Sequence, residues 1–340
     1  MPLDRQHLTD DPTLTGLDLC RALSDRTDEW LQGLFAAAIE AHPDLGGRVA
    51  LVAVGGYGRR ELSPESDLDL LLVVPPRAEV TALAQALWYP IWDEGVKLGH
   101  AVRTVREALT LASSDLDTAT SLLALRNVAG DLALTEELRT KATALWQKRA
   151  RRWLGELSTS VRQRHAAAGD TAFLLEPDLN DGRGGLRDVH AIAWAEQARS
   201  VMLEGDLDAL ADSYEVLLAA RVEQHRRNGR PGNVLLLQDQ DAVAEALGLG
   251  DADELMAEVV ARAEGYPFAL VELLHLLVDS GVIDTSDAER WELAEDPAAS
   301  LLELPTTVQG VVQARLDQMG LARDAYDAIV TSGDATQEAM

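Results

Sequence analysis

The sequence predicts a small α/β domain of short strands at roughly 45–105, embraced by helices on both sequence sides, with an all-α region after it. Three observations predict this. Two branched apolar runs, RVALVAV (48–54) and DLLLVV (69–74), flank a glycine-rich turn and read as strands. KLGHAVRT (97–104) alternates in the manner of a third strand. From about residue 105 onward, apolar residues recur at helical spacing almost without a break.

Taken in order, residues 15–42 show helical spacing, with Leu19, Leu23, Trp30, Leu31, Leu34 and Phe35 available for a buried stripe. HPDLGG (42–47) is a turn into the first strand, which ends in glycines. RRELSPES (59–66) is a polar connector or short helix before the second strand, DLDLLLVV (67–74). VTALAQALWYPIWDEG (80–95) is helical in character. REALTLASSDLDTATSLLALRNVAG (106–130), the run at 135–169 and DVHAIAWAEQARSVMLE (188–204) all read as helix. LEPDLNDGRGGLRD (175–188) interrupts them with glycines and turn formers.

With 340 residues, 47% of them hydrophobic and 26% charged, the chain has material for two domains and a sizeable core. A net charge of −27 repels phosphate backbones and argues against a nucleic-acid partner. One cysteine, Cys20, excludes an intramolecular disulfide framework. The N-terminus has no apolar signal core and no later stretch reaches bilayer-spanning length, so a cytoplasmic protein with no membrane role is expected.

The chemistry is concentrated in VAVGGYGRRELSPESDLDLLLVV (52–74). Residues two apart on a strand share a face, so Asp67 and Asp69 project together while Leu68, Leu70 and Leu72 pack the other side. Paired carboxylates on one face suit a hard divalent cation such as Mg²⁺, which neutralises them and is commonly shared with substrate phosphates. Gly55, Gly56 and Gly58 follow a strand, where missing side chains let backbone N–H groups approach an anion, and Arg59 and Arg60 add positive charge. Either part alone is common, as a solvated edge strand or an ordinary turn. Together they imply attack on the α-phosphate of a nucleoside triphosphate, with two metal ions steadying the attacking and leaving oxygens.

This stretch resembles the nucleotidyltransferase core of the DNA polymerase β-like superfamily, and more narrowly the bacterial PII uridylyltransferases, the nitrogen-sensing enzymes that modify the PII signal protein. LWYPIWDEGVKLGHAVRT (87–104), SDLDTATSLLALR (114–126), LLEPDLNDGRGGLRDVHAIAW (174–194) and GNVLLLQDQDAVAEALGLGDADELM (232–256) resemble further parts of that family in family order. The resemblance implies an α/β nucleotidyltransferase core, a short mixed sheet with helices, followed by an all-α domain. It divides the chain into an N-terminal helical segment (1–44), the nucleotidyltransferase domain (45–130) and a helical domain (131–262). It implies transfer of UMP from UTP to a tyrosine of PII with Mg²⁺, releasing pyrophosphate; relatives in high-GC Gram-positive bacteria are associated with adenylylation from ATP instead.

By motif position, Asp67 and Asp69 carry the metals, Gly55 and Gly56 cradle the triphosphate, and Arg59 or Arg60 either assists or lies on the surface. Arg183 and Arg187, in the glycine-rich loop 182–188, either contact phosphates or belong to a cap in which Arg187 pairs Asp188 or a neighbour. A third carboxylate usually completes the superfamily's site; Asp93, Glu94 and Asp115 are the candidates. His100 and His190 read as structural. Two departures stand out: Asn180-Asp181 where family members often have Lys-Glu, and Ala124 where they have an acidic residue.

Complete family members continue into a His-Asp hydrolase domain and glutamine-sensing ACT domains. The chain has no His-Asp dipeptide, so neither the removing activity nor the sensor is expected. Residues 263–319 instead resemble the segment after the ATPase core of AAA-type signalling regulators, with Gly265-Tyr266-Pro267-Phe268 and Leu304-Pro305 at its landmarks, and no G-x-x-x-x-G-K-[ST] loop lies upstream. A helical or winged-helix appendage (263–320) and a tail (321–340) are expected there. The rival readings are the same fold with another acceptor, and a catalytically idle interaction module.

Overall fold

A computed structural model describes residues 2–169, 171, 174–198, 204–264, 283–284 and 292–293. After a short helix α1 (Gln6–Thr9), the long α2 (Gly16–Glu40) buries Leu19, Leu23, Trp30, Leu31 and Phe35, the apolar stripe its spacing calls for. Leu34 is packed against the same core while partly exposed. Strand β1 (Ala50–Ala53) follows, then the one-turn helix α3 (Gly55–Gly58), β2 (Leu68–Val73), α4 (Thr81–Asp93) and β3 (Leu98–Arg103). The 59–66 segment is connector rather than helix.

The four strands lie in the order β3-β2-β1-β4, the last being Arg126–Gly130. β2 runs antiparallel to β1 and parallel to β3, so the sheet is mixed. β4, antiparallel to β1, corrects the reading of 106–130 as wholly helical. The helical spacing is real as far as α5 (Val105–Ala112) and α6 (Leu116–Leu123); beyond it the backbone pairs with β1.

β1 is buried along its whole length, as a central strand covered on both faces must be. Leu68, Leu70 and Leu72 pack with Leu23 and Leu31 of α2 and Leu83, Leu87 and Ile91 of α4. Leu71 and Val73, on the face that carries Asp69, pack with α7 (Leu132–Lys148) and α8 (Ala150–Ala168), where Trp146 and Trp153 stack.

The helical region continues with α9 (Leu186–Ala198), α10 (Glu204–Asn228), α11 (Leu237–Ala246) and α12 (Ala252–Glu264). Its apolar residues Leu217, Leu218, Val243, Leu255 and Val259 belong to the same core as α2 and the sheet. Gly16, at φ +46°, lets α2 begin close against Ala219 of α10. The landmarks of the 263–319 resemblance lie outside the described residues; within that range only Ile283–Asp284 and Glu292–Leu293 are described, as an antiparallel pair.

Candidate active site

Asp67 stands just before β2, and Asp69 is the strand's second residue. The Leu68 N–H donates to the Lys97 carbonyl, just before β3 (2.9 Å), and the Asp69 carbonyl accepts the Val54 N–H (3.0 Å). The second bond ties the glycine turn to the strand carrying the carboxylates. Gly55 has φ +59°, a conformation that costs glycine nothing and turns the chain sharply into α3. The first amides of such a turn point out along its axis without intrahelical acceptors.

The Asp69 carboxylate rests between two glycines. A methyl group at Gly55 would sit 3.3 Å from one of its oxygens, and a methyl group at Gly99, its register partner on β3, would overlap the other. Partial burial, and then the negative charge of Asp67, raise the Asp69 pKa. Asp67 is more open, and among the described residues its ion pair is with Lys97, 4.0 Å away. Among the described residues, no third His, Cys, Asp or Glu joins the pair to make a protein-only metal cage. Two oxygen donors short of positive charge therefore fit a hard cation that completes its shell with water and phosphate oxygens, as Mg²⁺ does.

The remaining candidates fall into distinct places. Gly56 is partly exposed, with Arg59 Nη2 the nearest neighbour at 3.8 Å from where a Cβ would stand. Gly58 is buried, and the Ala124 carbonyl fills the room its side chain would need. Ala124 thus meets the glycine turn through its backbone. Arg59 donates from Nε to Glu61 (2.6 Å) and stays a quarter exposed, whereas Arg60, at φ +65°, turns away to Asp25. Asp115 caps α6 by accepting the Thr118 N–H (2.8 Å), while Asp93 and Glu94 end α4; none is drawn into a group with Asp67 and Asp69. His100 is wedged against Trp88 and Trp92.

The glycine-rich loop is a cap on α9. Asp178 accepts the amides of Asn180 and Asp181, and fully buried Asp188 accepts from Arg164, His165 and the Gly184 N–H (2.5, 2.9 and 2.7 Å). Burial alone would push the Asp188 pKa up, but His165, Arg164 and the Gly184 amide bring it below the usual range. Arg187 pairs with Asp181 at 3.1 Å rather than with Asp188. Arg183 holds the loop through its backbone, bonded to Gly169 and Thr171.

Two clusters escaped the sequence reading because no local pattern announces them. Tyr57 of the glycine turn is buried and donates to Asp28 of α2 (2.5 Å), and Arg126 of β4 bonds Asp28 and lies over the Tyr57 ring. Burial, then Asp28, raises the phenol pKa. His190 of α9 lies 3.5 Å from Glu61 and 3.0 Å from the Tyr214 hydroxyl of α10, while Arg221 of α10 donates to Ser63 (3.0 Å). The connector between glycine turn and aspartates is thereby fastened to the helical region. A separate groove of about 750 Å³, lined by Val74, Pro76, Leu109, Leu134 and Lys141, lies past the other end of β2.

Comparison with known proteins agrees with this fold. Residues 37–119 match the family described as Nucleotidyltransferase domain, and residues 143–265 match GlnD PII-uridylyltransferase. A bifunctional uridylyltransferase/uridylyl-removing enzyme of Streptomyces coelicolor is 47% identical over 251 residues, 73% of this chain and 29% of that protein. Proteins of the same description from Mycobacterium tuberculosis and Caulobacter vibrioides are 43% and 32% identical, covering 64% and 72% of this chain and 28% of each relative. The chain thus spans less than a third of the length of these curated relatives, in their N-terminal part.

Proposed function

Because the chain carries a nucleotidyltransferase domain joined to the helical region of the bacterial PII-uridylyltransferase family, we propose that it transfers UMP or AMP from the nucleoside triphosphate to a tyrosine hydroxyl of a PII-type protein in the cytoplasm. The observation that carries this reading is the Asp69 carboxylate held between Gly55 and Gly99, with Asp67 beside it and the glycine turn bonded to its strand.

Asp67 and Asp69 would hold Mg²⁺, which when bound neutralises phosphate charge and makes the α-phosphorus more electrophilic. Gly55 and Gly56 present backbone N–H groups to the triphosphate, and Arg59 supplies a guanidinium at the same turn. The acceptor oxygen forms a bond to the α-phosphorus as the bond to the bridging oxygen of the β-phosphate breaks. Pyrophosphate leaves, and the hydroxyl proton passes to solvent or a base. Asp67 and Asp69 orient the reacting group without themselves being consumed.

The test is a labelling assay with the chain, a PII protein, Mg²⁺ and α-labelled UTP or ATP in parallel, using Asp67→Asn/Asp69→Asn as control. Label on PII that vanishes in the variant supports the reading and names the nucleotide. Mg²⁺-dependent nucleotide binding without label points to another acceptor. Absence of both binding and label sinks the proposal.

A further inference from the structure

We propose that His190 and Tyr214 are positioning residues of the nucleotide site: they hold Glu61, and Glu61 aims the Arg59 guanidinium across Gly56 toward the triphosphate. The inference rests on reading Gly55–Asp69 as a nucleotide site and assigns the helical region a share in it.

Four observations carry it. Arg59 leaves the glycine turn directly, and its Nη2 is the group nearest to where a Gly56 side chain would stand, at 3.8 Å. Its Nε is engaged by Glu61 at 2.6 Å, which fixes the plane of the guanidinium while the side chain remains a quarter exposed. Glu61 is itself nearly buried, with 14% of its side chain accessible, and so is His190 at 14%. Behind them the Tyr214 hydroxyl closes the row at 3.0 Å from His190 Nε2, and the three aromatic rings of His190, Trp194 and Tyr214 pack together.

A buried carboxylate is costly unless its oxygens are satisfied, and packing alone would be served as well by an apolar residue. Here the carboxylate is spent on one arginine at the edge of the candidate site. Although burial would raise its pKa, His190 and Arg59 hold Glu61 at about 2, so it is an anion throughout the working range. Burial, with Arg59 next, lowers His190 to about 4, leaving a neutral ring that hydrogen-bonds without competing for the Glu61 charge. The connector's other anchors act in the same sense: Arg221 on Ser63, and Ser66 Oγ on the Ser63 N–H (3.2 Å).

The experiment is a double-mutant cycle on Mg²⁺-dependent UTP and ATP binding by the full chain, with melting temperature recorded for each variant. His190→Phe is expected to weaken triphosphate binding about tenfold, the loss of one charge-assisted contact. Tyr214→Phe should weaken it less, and His190→Gln, which restores an N–H facing Glu61, should recover most of it. If the row acts through Arg59, Arg59→Ala/His190→Phe binds no more weakly than Arg59→Ala alone. Unchanged affinity in folded His190→Phe, or losses that multiply in the double variant, would overturn the proposal. Absence of Mg²⁺-dependent binding in the unmodified chain would overturn the nucleotide-site reading, and this inference with it. Should His190→Phe fail to fold, Tyr214→Phe and its Arg59→Ala double variant make the same comparison.

Discussion

Gly99 faces the Asp69 carboxylate across the parallel β2–β3 pairing, so closely that any side chain there would strike it. Gly99→Ala should therefore move Asp69 without removing a single charged group. Displacing a reacting-centre ligand by about an ångström costs on the order of 10²-fold in rate. The expected outcome is a transfer rate lower by about that factor with little change in melting temperature, checked by the labelling assay and calorimetry. Near-normal transfer would mean that Asp69 does not need its present position.

Asp69 also predicts a stability effect opposite to its effect on activity. Its pKa in the folded chain is raised by partial burial and by Asp67. A carboxyl with a raised folded pKa contributes stability that is present below its unfolded value near 4 and lost as pH rises through the folded value. Above its folded pKa the ionised group is thus a burden, so Asp69→Asn should melt at the same temperature or higher while losing transfer. Added Mg²⁺ should raise the melting temperature of the unmodified chain and leave the Asp67→Asn/Asp69→Asn variant unmoved.

The buried histidines set the acid side of the stability curve. His190 and His225 are both lowered to about 4, chiefly by burial, from an ordinary value of 6.5. The unfolded chain binds more protons between those values, so stability is complete above pH 6.5 and declines as pH falls toward 4. Glu61, held at about 2, adds a second loss as pH drops from about 4.5 toward 2. Melting temperatures at pH 7 and pH 5 should differ in the unmodified chain, and the difference should shrink in His190→Phe/His225→Phe.

Asp188 is fully buried and serves Arg164, His165 and the Gly184 amide together. Asp188→Ala strands the Arg164 guanidinium, whose side chain is 11% exposed, and should cost about 3–5 kcal/mol, read from urea denaturation. A loss below about 1 kcal/mol would show that the loop is held by its glycine backbone bonds instead.

The parts of the site that obey local rules were legible in the sequence. A period of two placed Asp67 and Asp69 on one face, and glycines after an apolar run marked the turn. β4 was not legible, because Arg126 and Asn127 interrupt any strand alternation and a leucine- and alanine-rich helix runs directly into it; only pairing with β1 makes it a strand. Gly99 was available as a signal, since glycine inside a strand marks close approach by another group. What approaches it depends on the register of β2, which no local pattern carries. Glu61, His190 and Tyr214 are brought together by α9 and α10 packing, and their spacing along the chain follows no period.

Leu19 and Leu23 of α2 share one core with the sheet and with Leu217 and Leu218 of α10. A gene cut between the strands and the later helices would strip α10 from α2 and leave a leucine-lined face open to water. Proteolytic nicking in the exposed turns is therefore expected to yield fragments that stay associated, and separately expressed halves to be recovered together or not at all. The sheet and the helices through α12 are therefore expected to fold as one piece.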